Sequence, residues 1–235
     1  RLLFSSVEYV MIGGEKITEK FIRMMAEEKE NHKVKLINAY GPTENTTFST
    51  TYQIDWDHIM DDIPIGSPIA NSTAYVMDGN QLCGVGVVGE LCLGGDGVSI
   101  GYLNEEELTN EKYFENPFGE GKLYRSGDLA KWNDDGTITY LRRIDNQVKI
   151  RGFRIELKEI ENVFREIPHI QDVCVIARED SYNVKNLYGY FVADCEMDIW
   201  EIYKELKKHL PDYMIPLKMQ QIEKLPTNIN EKIDI

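Results

Sequence analysis

The chain has 235 residues, 42% hydrophobic and 28% charged, with a net charge of −14. That length supports one large domain or two small ones with real cores, in an ordinary globular mix. So acidic a balance argues against a nucleic-acid-binding surface, which needs basic patches, and no apolar run approaches the ~20 residues of a membrane span.

The cysteines Cys83, Cys92, Cys174 and Cys195 form no CxxC pair and have no histidine near them in sequence. They are expected to be free thiols in a reducing cytoplasm, not a zinc site or a disulfide framework. No signal peptide is visible. The chain opens at Arg1 without a Met, so a natural N-terminus is expected further upstream.

In chain order, Val7 to Ile12 reads as a buried strand before Gly13-Gly14. Residues 17–30 read as a helix, with Thr18 as N-cap and Ile17, Phe21, Met24 and Met25 on one face. Val34 to Ile37 is a second apolar run, and strand, helix, strand indicates an α/β unit over residues 1–60. From about residue 61 the pattern becomes short alternating segments with turns at Asp78-Gly79-Asn80 and Asn133-Asp134-Asp135-Gly136. Residues 61–145 are therefore expected to form a β-rich, barrel-like region. After residue 146 a helix is predicted over Glu156–Ile167, with Leu157, Ile160, Phe164 and Ile167 on one stripe. Strands are predicted over Val173–Ala177 and Leu187–Ala193. A second helix is predicted over Asp198–Leu210, with Asp198 as N-cap and Glu201 three residues on. Residues 146–235 thus read as a separate α+β unit.

Gly84-Val85-Gly86-Val87-Val88-Gly89 matches GxGxxG, but a turn precedes it and a strand over Glu90–Gly94 follows. A dinucleotide site needs that motif between a strand and a helix, so this stretch reads as a glycine-loosened hairpin.

Four segments carry groups useful for chemistry. Asn38-Ala39-Tyr40-Gly41-Pro42-Thr43-Glu44 combines a fixed loop, a hydroxyl for a phosphate oxygen, a carboxylate for Mg²⁺ and a ring for a base. Read alone it is only a polar loop after a strand. Tyr124-Arg125-Ser126-Gly127-Asp128-Leu129 places a carboxylate in a turn between strands, able to accept from a ribose diol or simply to stabilise its own turn. Residues 142–154 concentrate Arg142, Arg143, Lys149, Arg151 and Arg154 in one loop of an acidic chain. That loop reads equally as an anion site or as a solvated hairpin. Lys232, near the end, reads by itself as a surface lysine.

Together these segments resemble the adenylation domains of nonribosomal peptide synthetases, in the adenylate-forming superfamily that also holds acyl-CoA synthetases and luciferases. The resemblance rests on NAYGPTE, GELCLGGDGVSIGYLN, YRSGDL, RRIDNQVKIRGFRIELKEIE and LPDYMIP, in the family's order over residues 38–216, with NEKID extending it to Asp234. It implies a large AMP-binding core, of which residues 1–145 are the last part, and a mobile C-terminal lid, residues 146–235. The family's phosphate loop and the Asp that holds the substrate α-amino group lie outside this sequence.

Position by position, the resemblance implies adenine contacts at Asn38 and Tyr40, Tyr40 by stacking, beside the close-approach backbone of Gly13 and Gly14, with Gly41 a further cofactor-binding residue. It implies an α-phosphate contact at Thr43, an Mg²⁺ ligand at Glu44 and a ribose acceptor at Asp128 with Arg143 as its partner. Asp145 is implied as the hinge, Lys232 as the catalytic lysine, and Val10, Ile12, Ala39, Thr47 and Phe48 as substrate-pocket lining. This chain departs from the family at Arg142, Lys158 and Glu231, where Gly is usual, and at Asn228, where Thr is usual.

The implied activity is ATP-dependent activation of an amino acid and its transfer to the phosphopantetheine thiol of a peptidyl carrier domain. A condensation domain is implied in the same natural chain. Two alternatives remain at this stage: another adenylate-forming ligase, such as an acyl-CoA or D-alanine–carrier ligase, or a non-catalytic fragment that binds nucleotide or partner domains.

Overall fold

The computed structural model describes residues 6–145, 147–180 and 184–226. The chain divides into two compact units, residues 1–145 and 146–235.

The first unit opens with β1 (Tyr9–Gly13), α1 (Glu19–Ala26) and β2 (Lys35–Tyr40), followed by β3 (Thr50–Gln53) and β4 (Ser67–Pro68). The sheet order is β1-β2-β3-β4, with β1 parallel to β2 and the remaining pairs antiparallel. This is the expected strand–helix–strand unit, but its first strand is not buried: β1 is at the edge of the sheet, and Val7, Tyr9 and Met11 are exposed. The helix is shorter than residues 17–30, because side chains beyond its end take over its last carbonyls. Asn31 Nδ2 donates to Met25 O at 2.8 Å and His32 Nε2 donates to Ala26 O at 2.9 Å, satisfying groups that a continuing helix would have paired. Thr18 takes the extended N-cap conformation, but its side chain makes no cap bond. The buried helix residue is Ile22; Phe21 and Met24, expected to face inward, are 55% and 57% exposed.

The second sheet contains β5 (Ser72–Asp78), β6 (Gln81–Leu82), β7 (Gly89–Gly95), β8 (Tyr113–Glu115), β9 (Lys122–Trp132) and β10 (Ile138–Arg143), with a short helix α2 (Glu106–Lys112) before β8. Its order is β10-β9-β7-β5-β6, all antiparallel, and β8 adds to β9. The GxGxxG stretch is neither a nucleotide loop nor a hairpin. It carries the chain from β6 on one side of β5 to β7 on the other. The two sheets join where Ile65 N and Ile138 O bond and Gly66 bridges Ile138. A shared cluster of Tyr40, Ile65, Val76, Leu91, Leu93 and Ile138 fills the space behind that seam.

The second unit begins with a hairpin of β11 (Val148–Ile150) and β12 (Phe153–Ile155). Its two turn residues, Arg151 and Gly152, have φ of 53° and 79°, as a primed turn requires. Then follow α3 (Leu157–Arg165), β13 (Ile170–Glu179), β14 (Lys185–Ala193), α4 (Ile199–His209) and β15 (Lys218–Gln221). The sheet order is β13-β14-β15, with β15 parallel to β14. The expected α3 stripe of Leu157, Ile160, Phe164 and Ile167 is buried, against Val173, Phe191, Ile202 and Leu206. The Asp198 side chain caps α4 by accepting from Trp200 N at 2.9 Å. The basic run is not one loop: Arg142 and Arg143 close β10 in the first unit, while Lys149 and Arg154 lie on the β11–β12 hairpin of the second.

Among the described residues, no helix is long and apolar enough to cross a membrane.

Candidate functional site

Three of the sequence segments meet in the first unit. Asn38, Ala39 and Tyr40 occupy the end of β2, Asp128 sits inside β9 and Arg143 ends β10. Asp128 is therefore on a strand and not in a turn. The seam between the two sheets brings Tyr40 and Asp128 together across 88 residues: the Tyr40 hydroxyl donates to Asp128 Oδ2 at 2.5 Å. Arg143 Nη1 donates to Asp128 Oδ1 at 3.1 Å and to Ser126 O at 2.9 Å. Its remaining edge forks onto Asp145, Nε to Oδ1 at 2.7 Å and Nη2 to Oδ2 at 2.6 Å. One guanidinium thus bridges two carboxylates in the bidentate geometry for which arginine is suited.

Gly127 makes room for this fork. Its φ is +72°, and a Cβ there would stand 2.7 Å from Arg143 Nη2 and 3.3 Å from Asp145 Oδ2. Gly127 N donates to Glu90 Oε1 at 3.0 Å, and Glu90 is paired with Arg125 at 3.1 Å. Asp128 is 3% exposed, so its charge is enclosed with its partners. Burial, and then the Asp128 charge beside it, push the Tyr40 hydroxyl well above the usual phenol range, which keeps it a proton donor. Burial pushes the neighbouring Tyr140 up to about 12.

The Gly-Pro segment leads from β2 into a 3-10 turn, Thr43–Asn45. Thr43 is exposed and Glu44 is 7% exposed. Glu44 Oε1 accepts from the Tyr102 hydroxyl at 2.6 Å, and Glu44 O accepts from Ser99 N at 2.8 Å. Burial first, and then the bond to Glu44, push the Tyr102 hydroxyl upward too. Glu44 and Thr43 are consecutive oxygen-bearing residues, and a carboxylate oxygen is the hard donor that Mg²⁺ takes when it is shared with substrate phosphates.

The other expected positions lie as follows. Asn38 is buried and its Nδ2 donates to Pro64 O at 2.7 Å. Gly13 ends β1 opposite Ala39, and Gly14 follows with a φ of +95°. Gly41 sits between β2 and the 3-10 turn. Val10 and Ile12 pack against the Ile22–Leu36 cluster, Ala39 is buried, Thr47 is exposed with a φ of +69° and Phe48 is half-buried. Lys232, Asn228 and Glu231 lie outside the described residues. Tyr102, Ser126 and Glu90 were not singled out by sequence reasoning, although all three fall inside quoted motifs. Cys195, without a histidine near it in sequence, has His169 and Asp194 beside it in space, with candidate ligand atoms within 4.8 Å, all three exposed.

Known proteins share much of this sequence and fold. Residues 2–103 match the family of AMP-binding enzymes, and residues 159–232 match the AMP-binding enzyme C-terminal domain. Over 234 residues the chain is 49% identical to tyrocidine synthase 3 of Brevibacillus parabrevis, covering 99% of this chain and 4% of that protein. It is 45% identical to surfactin synthase subunit 2 of Bacillus subtilis (strain 168), covering 99% of this chain and 6% of that protein. Among solved structures it resembles holo-PA1221, described as a nonribosomal peptide synthetase protein containing adenylation and carrier (PCP) domains bound to a vinylsulfonamide inhibitor. The TM-score is 0.85 at 29% identity, over 97% of this chain and 39% of that one. The fused adenylation–carrier protein NpsA-ThdA from Klebsiella oxytoca gives a TM-score of 0.79 at 27% identity, over 91% of this chain and 40% of that one.

Proposed function

We propose a function from one established premise: the chain belongs to the AMP-binding enzyme family, and it resembles nonribosomal peptide synthetase adenylation domains along nearly its whole length. The function is activation of an amino acid by ATP as its aminoacyl-adenylate, followed by transfer to a carrier-domain phosphopantetheine thiol. The observation that carries this reading is the joining of Tyr40, Asp128, Arg143 and Asp145 in one hydrogen-bonded array, buried at Tyr40 and Asp128 and drawn from three separate sequence segments.

In the first half-reaction the substrate carboxylate attacks the α-phosphorus of ATP in line and pyrophosphate leaves. Asn38 and Tyr40 would meet the adenine beside Gly13, Gly14 and Gly41, Asp128 and Arg143 the ribose, and Thr43 the α-phosphate. Glu44 would hold Mg²⁺, which when bound neutralises phosphate charge. Lys232 would carry positive charge to the meeting point of two anions, a role of positioning and charge stabilisation. In the second half-reaction the thiol attacks the acyl carbon and AMP leaves. Asp145, the last residue of the first unit, is the proposed hinge that lets residues 146–235 serve both steps. A condensation domain in the same natural chain, and a cytoplasmic setting, complete the proposal.

Val10, Ile12, Ala39, Thr47 and Phe48 are uncharged, and four of them are apolar. The proposed substrate is therefore a small or medium amino acid with an apolar or weakly polar side chain. The test is pyrophosphate exchange by the full-length protein against a panel of amino acids and fatty acids. Exchange stimulated by such an amino acid, and not by a fatty acid, is expected. Exchange driven by a fatty acid, or selectively by Lys, Arg or Glu, would contradict the proposal. Residues 1–235 span about two-fifths of the solved chains they match, so alone they are expected to give negligible exchange.

A further inference from the structure

GELCLGGDGVSIGYLN serves the resemblance only as a marker, and no role for its second half follows from it. In the structure that second half lies in a loop between β7 and α2, residues 96–105, laid against the turn that carries Glu44. Ser99 N donates to Glu44 O at 2.8 Å, Thr46 Oγ1 donates to Gly97 O at 2.7 Å, and the Tyr102 hydroxyl donates to Glu44 Oε1 at 2.6 Å. The approach is close enough that a Cβ on Gly97 would stand 2.8 Å from Asn45 Oδ1 and 3.2 Å from Asn45 O, so the loop needs glycine there.

Tyr102 is itself held on several sides. Its backbone N donates to Thr109 Oγ1 at 2.9 Å. Its ring meets Tyr113 edge-on, with centroids 5.6 Å apart, and the Tyr113 hydroxyl bonds Ser99 Oγ at 2.7 Å. The residues flanking it behave in the opposite way: Ile100 is 94% exposed and Leu103 is 89% exposed. Burial of apolar surface is therefore not what seats this loop. Hydrogen bonds tie it to the turn over residues 44–46, and one of them, from the Tyr102 hydroxyl, ends on the buried Glu44 carboxylate.

We propose that residues 97–102 form a brace for Glu44, in which Tyr102 is a positioning residue that fixes the carboxylate in the orientation from which it holds the divalent cation. This rests on the reading of Glu44 given above. A carboxylate already restrained by an outer partner loses less side-chain freedom when it takes up a ligand, and outer partners of this kind contribute about 10–100-fold to metal affinity.

The experiment uses the full-length protein with a non-hydrolysable ATP analogue. Mn²⁺ affinity is measured by electron paramagnetic resonance, alongside the Mg²⁺ requirement and amino-acid KM of pyrophosphate exchange. Tyr102→Phe removes the hydroxyl and keeps the ring. It is expected to weaken Mn²⁺ binding about tenfold and to raise the Mg²⁺ requirement in parallel, with the amino-acid KM unchanged. Thr109→Ala, which loosens Tyr102 without touching the Glu44 bond, is expected to move the same two readouts less. In a Glu44→Ala background Tyr102→Phe is expected to add nothing. A loss from Tyr102→Phe that is as large without Glu44 as with it would overturn the brace, and so would a fall in thermal stability with metal affinity unmoved. If Glu44→Ala itself leaves Mn²⁺ affinity unchanged, the assignment of Glu44 falls, and the brace falls with it.

Discussion

The two units bury different things. The second is closed by one apolar cluster around Ile160, Phe164, Val173, Phe191 and Ile202, and Gln147 and Asn186 are its buried polar side chains among the described residues. The first divides its apolar residues among smaller clusters and also buries Asn38, Glu44, Asn45, Ser126 and Asp128. Burying a polar group or a charge is unfavourable unless it is bonded: Asp128 and Glu44 are held by their arrays, Asn38 by Pro64 O and Asn45 Nδ2 by Ser49. The second unit's interior serves its fold. The first unit's interior also holds the Asp128 and Glu44 carboxylates with their bonded partners.

The comparison can be broken most forcefully in the second unit. Phe164→Ala removes a fully buried ring from the centre of its cluster and is expected to cost about 3–5 kcal/mol. Hydrogen exchange read by mass spectrometry should lose protection over residues 147–226 and keep it over the first unit's strands. Equal loss in both would mean that the units do not fold on separate cores.

A smaller effect is expected in the first unit from Gly127→Ala. Alanine at a φ of +72° is strained, and its methyl group would press on the Arg143 fork. A loss of about 1–3 kcal/mol is expected in denaturant unfolding, with weakened ATP binding by the full-length protein. Unchanged stability and binding would show that the fork does not depend on this glycine.

The smallest effect tests local structure. Asp198→Ala removes the α4 cap bond to Trp200 N and should cost about 1 kcal/mol in the second unit. An unchanged unfolding midpoint would show that the cap contributes nothing measurable.

What sequence reasoning could read follows the same division. The α3 stripe and the Asp198 cap were legible because helical period and capping are local rules, and the strands expected near Val34–Ile37, Glu90–Gly94, Val173–Ala177 and Leu187–Ala193 form, while β3, β5 and β15 were not foreseen. α1 was drawn too long because nothing local announces that Asn31 and His32 turn back to cap it. α2, Glu106–Lys112, was missed because it buries no residue and so has no apolar stripe. The site was legible only as separate pieces. Tyr40 meets Asp128 across 88 residues and Glu44 meets Tyr102 across 58, and no periodicity encodes such pairings. Asp128 was expected in a turn because Gly127 precedes it, whereas the positive φ there is spent inside a strand to clear Arg143.

In the proposed division of labour, the first unit supplies the nucleotide site and the second a lysine needed in one half-reaction and not the other. The direct measurement is made on the full-length protein carrying Lys232→Ala. Pyrophosphate exchange and single-turnover thiol transfer from supplied aminoacyl-adenylate are followed separately. Exchange is expected to fall on the order of 10²–10³-fold, the scale of one lost transition-state donor, while thiol transfer stays nearly unchanged. Near-normal exchange in that variant would show that Lys232 does not have the proposed role.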